Sequence, residues 1–243
     1  MFGRVEKLVF SKGIDVQIIY LGDSHAHALV RAIAKSGDHD VLAVDVRRIK
    51  DPTVNSKEIP DDLQSRFPTD KVFCCLGGTE YNLLGLIESA EPFDFLYHAD
   101  DVILPGRTLI PHGTMRAALD ALLRSLKQRT EKVHAQFDCP FFCVAPPPPF
   151  AELEGSEKLP NAFAPLVSRG IAPRNIRRKL YNLQIDIMED HCREREMGFL
   201  HAPVETQDSD GYLLREFWDR DPTHGNAAYG QAVIEQLRAY SHG

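Results

Sequence analysis

The stretch Val16-Gln-Ile-Ile-Tyr-Leu-Gly-Asp-Ser-His-Ala-His27, VQIIYLGDSHAH, changes its period halfway along. Val16 to Leu21 is apolar apart from Gln17 and reads as a buried strand. Beyond Gly22 the apolar residues Ala26, Leu29, Val30 and Ile33 recur at helical spacing, and Gly37 supplies a stop. A strand that turns directly into a helix is the opening of a β-α-β unit. Asp23, Ser24, His25 and His27 crowd that turn, where they can serve as a helix cap, a nucleophile or metal ligands.

The same alternation continues outward. Val41 to Val46, Lys71 to Leu76, Pro140 to Ala145 and Gly198 to Ala202 read as further strands. Met115, Leu119, Leu122 and Leu126, spaced four, three and four, predict an amphipathic helix over about 108–129. Pro173 opens a second long helix carrying Ile176, Leu180, Leu183 and Ile187, with Gly198 as its expected stop. A last helix is expected from about Gly225 to Tyr240. Strands joined through helices imply a parallel sheet covered on both faces, because parallel neighbours need crossover connections. The expected fold class is therefore α/β, with five strands in a mainly parallel sheet and one domain spanning 1–243. In such sheets the crevice lies at the carboxyl ends of the strands, so the loops after them are where chemistry belongs.

Composition narrows the partners. The 243 residues are 43% hydrophobic and 26% charged, an ordinary globular balance. The 28 basic residues against 35 acidic ones give a net charge of -7, which disfavours nucleic acid or an anionic membrane as partner. No apolar run approaches the roughly 18 residues of a membrane span. MFGRVEKLVFSKG lacks the pattern of a signal peptide, and the cytoplasm is the expected compartment. The five cysteines include no C-x-x-C pair and read as reduced, buried thiols, with Cys74 and Cys75 facing opposite sides of their strand.

Three loops hold the candidate chemistry. Ser24 sits at a helix N-terminus, where N–H groups favour a developing negative charge. Asp221-Pro-Thr-His224 precedes the last helix, and a carboxylate three residues before a histidine can fix its tautomer within one turn. Gly77-Gly-Thr-Glu-Tyr-Asn82 follows the third strand, where glycine amides and the side chain of Thr79 or Asn82 can donate to an oxyanion. Gly22-Asp23-Ser24 after a strand, paired with Asp221-Pro222-Thr223-His224 near the end, resembles the SGNH or GDSL-type hydrolases over essentially the whole chain.

The resemblance implies a three-layer α/β/α, flavodoxin-like fold and an acyl-enzyme mechanism. Ser24 would be the nucleophile, His224 the base and Asp221 its orienter. Asp23, His25, Gly77, Gly78, Thr79 and Asn82 would lie around the oxyanion and substrate. Two departures stand out. Gly77-Gly78-Thr79-Glu80 replaces the family's G-x-N-D, and no glycine follows the second strand to donate a further amide.

The implied substrate is a small-molecule or glycan ester, with no cofactor and no metal. Asp23-x-His25 and His25-x-His27 admit a metal-enzyme alternative. The later G-D-x-x-D and G-N-H segments of a binuclear phosphoesterase are missing, however, and a catalytic metal needs three or more protein donors. A binding module on the same fold, and an O-acyltransferase using the same triad, are the remaining alternatives.

Overall fold

The computed structural model describes residues 18–38, 40–50, 58–153, 159 and 161–241. In chain order the elements are β1 (Ile18–Gly22), α1 (Ala26–Ser36), β2 (Val41–Asp45), α2 (Leu63–Arg66), β3 (Val72–Cys75) and α3 (Asn82–Gly85). There follow β4 (Phe93–Asp94), β5 (Thr108–Leu109), α4 (His112–His134), β6 (Phe141–Val144), α5 (Arg174–Glu194), β7 (Gly198–Leu200) and α6 (Ala227–Ser241). Short 3-10 segments occupy Val46–Arg48, Asn161–Arg169, Val204–Thr206 and Arg215–Phe217.

Five strands form one sheet in the order β2-β1-β3-β6-β7, with every neighbouring pair parallel. The chain steps from β1 to β2 on one side, then crosses back to lay β3 on the other. The loops after β1 and β3 therefore diverge and leave a crevice between them, the switch point where open α/β sheets bind ligands. Register sets the two loops side by side, since Gly22 pairs with Cys75.

Side chains alternate across the sheet. Ile19, Leu21, Val72 and Cys74 pack in one core with Met115, Leu119 and Leu126 of α4 and Ile176, Leu180, Leu183 and Ile187 of α5. Ile18, Tyr20, Phe73 and Cys75 pack in the other with Ala26, Ala28 and Leu29 of α1 and Val233, Ile234 and Leu237 of α6. The result is three layers, helices on each face of a sheet. Cys74 and Cys75 do face opposite cores, and all five cysteines are free thiols. No helix among the described residues is long and apolar enough to cross a membrane.

Several expectations are corrected. Val16 and Gln17 of the first strand lie outside the described residues. In α4 the core position is Leu123, fully buried, while Leu122 is exposed, because the helix advances 3.6 residues per turn rather than by the four-three-four spacing alone. That helix also begins after Pro111 and runs on to His134, so Thr108 and Leu109 belong to a two-residue strand pair with Phe93 and Asp94. Gly198 is not the stop of α5. That helix ends at Glu194, and Glu196 takes the left-handed turn with φ of 57°. Gly198 instead starts β7, where a Cβ would lie 2.2 Å from the Phe142 ring.

Candidate active site

The turn between β1 and α1 is built tightly. A Cβ on Gly22 would stand 3.1 Å from the Cys75 carbonyl oxygen, so a larger residue here would press on the end of β3. Asp23 is buried, 6% exposed, and its Oδ2 accepts the Gly77 N–H at 2.8 Å. Arg129 of α4 stands 3.7 Å from the same oxygen. Asp23 thus ties the first strand's turn to the third strand's loop. Ser24 follows it, its hydroxyl only loosely directed to Asp23 Oδ1 at 3.5 Å.

His25 and His27 diverge. His27 Nε2 lies 3.0 Å from Asp45 at the end of β2. Burial works to raise the Asp45 carboxyl, but hydrogen bonds from Arg47 and His27 outweigh it and hold that carboxyl far below the ordinary range. His25 is buried against His224, with ring centroids 4.8 Å apart. Burial, and then the neighbouring His224, push the His25 imidazole down to about 3, so it stays neutral at ordinary pH. Among the described residues, no group of three or more His, Cys, Asp or Glu side chains is placed to hold a metal ion.

The second loop comes from the far end of the chain. Asp221 to His224 is a tight turn in which the His224 N–H donates to the Asp221 carbonyl at 3.1 Å. The imidazole Nδ1 lies 2.9 Å from Thr223 Oγ1 and 3.4 Å from Asp221 Oδ1. The Thr223 hydroxyl donates to Asp221 Oδ1 at 2.6 Å, so it bridges ring and carboxylate. Burial works to raise the Asp221 carboxyl, yet the hydrogen bonds from His224 and Thr223 bring it below the ordinary value. The other ring nitrogen, Nε2, is buried without a hydrogen-bond partner among the described residues.

Two residues hold this loop in place. Asn226 donates from Nδ2 to the Glu216 and Trp218 carbonyls at 2.6 and 2.9 Å. Its Oδ1 accepts the Ala228 and Tyr229 N–H groups, capping the first turn of α6. Arg31 of α1 donates to Asp219 at 2.6 Å and to the Gly225 carbonyl at 3.1 Å, strapping the loop to the helix that Ser24 precedes.

Residues two hundred positions apart in sequence therefore share one cleft. Ser24, Asp221 and His224 line a hollow of about 210 Å³. His27, Arg31, Asp219 and Arg220 line it too. Arg31 and Arg220 escaped the sequence reading. The spacing of Ser24, His27 and Arg31, three and four apart on one helical face, was the available signal for the first. A larger hollow of about 430 Å³ beside Lys50, Arg129 and Lys132 has no histidine in its lining.

The third loop does not join the cleft. Gly77 and Gly78 take positive φ, 65° and 101°, which explains the paired glycines. Their amides are already engaged, Gly77 by Asp23 and Gly78 by Glu80 Oε2 at 2.8 Å. The expectation that these amides cradle an oxyanion is therefore not met in this structure, because nearby carboxylates satisfy them first. Burial pushes the Glu80 carboxyl up, with the Asp23 charge adding to it. Asn82 begins α3 and is buried, 3% exposed, with no hydrogen-bond partner for Nδ2 among the described residues. Half-buried Thr79 and buried Asn82 both lie outside the cleft's lining.

No family model matches the chain, and no curated protein matches its sequence. Solved structures do match its fold. A GDSL-like lipase from Bacteroides thetaiotaomicron superposes with a TM-score of 0.51 at 9% identity, covering 98% of this chain and 94% of that one. A protein from Bacteroides fragilis described as a candidate acylhydrolase gives a TM-score of 0.50 at 8% identity, covering 99% and 95%. The chain is similar to these along its whole length and has their fold, an α/β/α sandwich on a parallel five-stranded sheet.

Proposed function

We propose that this chain, built on the fold of the GDSL-type hydrolases, is a serine hydrolase that cleaves small-acyl or carbohydrate O-acyl esters through an acyl-enzyme. One observation carries the reading. Ser24, His224 and Asp221 line the same cleft, with the imidazole Nδ1 turned to Asp221 and Thr223 and Nε2 left without a partner among the described residues. With its proton on Nδ1, a ring in this orientation is what a general base needs. The names of the two structures with the same fold, a lipase and an acylhydrolase, agree with ester chemistry.

In this mechanism the Ser24 hydroxyl turns from its long contact with Asp23 to His224 Nε2 and gives up its proton as Oγ attacks the ester carbonyl carbon. The positive charge gained by the ring is stabilised at Nδ1 by Thr223 and Asp221. The Ser24 N–H at the start of α1 faces the developing oxyanion, helped by the N-terminal end of that helix. His224 then returns the proton to the leaving alcohol. Water, activated by the same nitrogen, releases the acyl group and restores Ser24. An alcohol in place of water would make the same steps a transfer.

A panel of short p-nitrophenyl esters and acetylated sugars, run with wild type, Ser24→Ala and His224→Ala, tests the proposal. Turnover by wild type that falls about 10⁴-fold or more in each variant is expected. Equal rates in all three proteins would overturn it.

A further inference from the structure

A second histidine lines the cleft at Ser24. His27 follows Ser24 by one turn, its N–H donating to the Ser24 carbonyl at 3.2 Å, and both side chains border the same hollow. The His27 ring Nε2 lies 3.0 Å from Asp45 Oδ2. Arg47 also grips that carboxylate, through Nε to Oδ1 at 2.9 Å, Nη2 to Oδ2 at 2.7 Å and its backbone N–H to Oδ1 at 3.1 Å. A carboxylate so held is ionised and only accepts. The proton of the neutral His27 ring therefore sits on Nε2, and Nδ1 keeps its lone pair. The bond to Asp45 is the one hydrogen bond of this ring among the described residues. A ring that only stapled α1 to β2 would need no exposure, yet 37% of the His27 side chain stays exposed. His224 has its Nδ1 committed to Thr223 and Asp221, and its Nε2 has no partner among the described residues. One cleft thus holds a hydroxyl and two imidazoles each with a nitrogen to spare, where a triad needs one.

We infer that His27, oriented by Asp45, positions the water that attacks the acyl-enzyme and so directs the acyl group to hydrolysis rather than transfer. A water molecule has two O–H bonds. One donates to His224 Nε2, which takes that proton as the water oxygen bonds to the acyl carbonyl carbon. The other donates to His27 Nδ1, which fixes the oxygen and takes no proton. The bond from the carbonyl carbon to Ser24 Oγ then breaks, and Oγ recovers its proton from His224. An alcohol has a single O–H. Once that group is given to His224, the alkyl part faces Nδ1 and leaves the acceptor without a donor, which costs the alcohol the bond that water makes. The inference rests on the serine-hydrolase reading of the cleft and assigns the acceptor which that reading leaves open.

The test turns over p-nitrophenyl acetate in a water–methanol mixture with wild type, His27→Phe and His27→Leu. Methyl acetate and acetate are quantified by NMR, with the Ser24→Ala background subtracted. Both products arise from the acyl-enzyme, so their ratio is blind to slower acylation and to a smaller folded fraction, the changes a purely structural His27 would bring. At one methanol concentration the ratio of methyl acetate to acetate is expected to rise about fivefold or more in both variants, the worth of roughly one hydrogen bond. Phenylalanine keeps a planar ring of similar size, so a rise in His27→Leu alone would mark added space instead of a lost acceptor and would overturn the inference. A ratio equal to that of wild type in both variants would overturn it too, and would leave the esterase reading standing. Release of p-nitrophenol by wild type no faster than by Ser24→Ala would overturn the esterase reading, and this inference with it.

Discussion

At His224 the ring Nδ1 is nearer to Thr223 Oγ1, at 2.9 Å, than to Asp221 Oδ1, at 3.4 Å. Thr223 in turn donates to that carboxylate, so the three groups form a unit rather than a simple pair. Asp221→Asn is expected to lower kcat by about 10²–10⁴-fold, since an amide stabilises neither the tautomer nor the charged ring. Thr223→Val is expected to cost about tenfold, because Asp221 can close the remaining gap to the ring. The double variant should lose less than the product of the two, as groups acting as a unit do. Steady-state kinetics on one p-nitrophenyl ester checks all three values, and full activity in Thr223→Val would remove the bridge from the account. Glu80 supplies a second prediction. Burial holds its carboxyl above the ordinary value, so the folded chain binds that proton more tightly than the unfolded chain does. Its stabilising contribution is complete below the unfolded carboxyl pKa of about 4.3 and is lost as pH rises through the higher folded value. Glu80→Gln cannot ionise, so its Tm relative to wild type should climb between about pH 4 and pH 8. A flat difference over that range would count against a strained carboxylate. That Ser24, Asp221 and His224 share one cleft was legible because their loops were identifiable at the edge of the sheet. Thr223, Asn226 and Arg31 were not, because hydroxyl, amide and guanidinium groups occur throughout the chain and acquire a role only from neighbours in space.

The contact of α1 with α6 brings the two halves of the cleft together. Gly230 lies where a Cβ would come within 2.2 Å of the Ala28 carbonyl oxygen, so the helices touch backbone to backbone. Gly230→Ala must force them apart. The expected cost is about 1–3 kcal/mol of stability, which lowers Tm by about 2–4 °C for each kcal/mol. Because α1 follows Ser24 and α6 follows His224, the catalytic rate should fall more than the unfolded fraction explains, measured well below Tm. A variant as active as wild type would mean that the loops are placed without this contact. Elements with a sustained period were readable in advance. The main strands, α1 and the core face of α5 all emerged from periodicity. The pair β4 and β5 did not, since two-residue strands carry no period. They are positioned by Asp94, which is fully buried and accepts from the Leu104 N–H and from Lys179 Nζ, both at 2.9 Å. Gly198 misled because glycine serves equally at a helix end and where a ring crosses a strand.

Across the whole molecule, the strand order places β1 at the centre of the switch, with β2 on one side and β3 on the other. The alternation of strands and helices made a parallel sheet legible. It did not show which amides at the carboxyl edge remain available. Gly77 and Gly78 looked like donors in sequence, and only the fold reveals that Asp23, 54 residues away, and Glu80 already occupy them. The central claim is that the chain's two ends meet to make one activated hydroxyl. Treating the intact protein with a fluorophosphonate and mapping the adduct by peptide mass spectrometry tests this most directly. The account predicts a single adduct on Ser24, absent in Ser24→Ala and slowed about 10³-fold or more in His224→Ala. An unlabelled Ser24, or labelling at the same rate without His224, would contradict it.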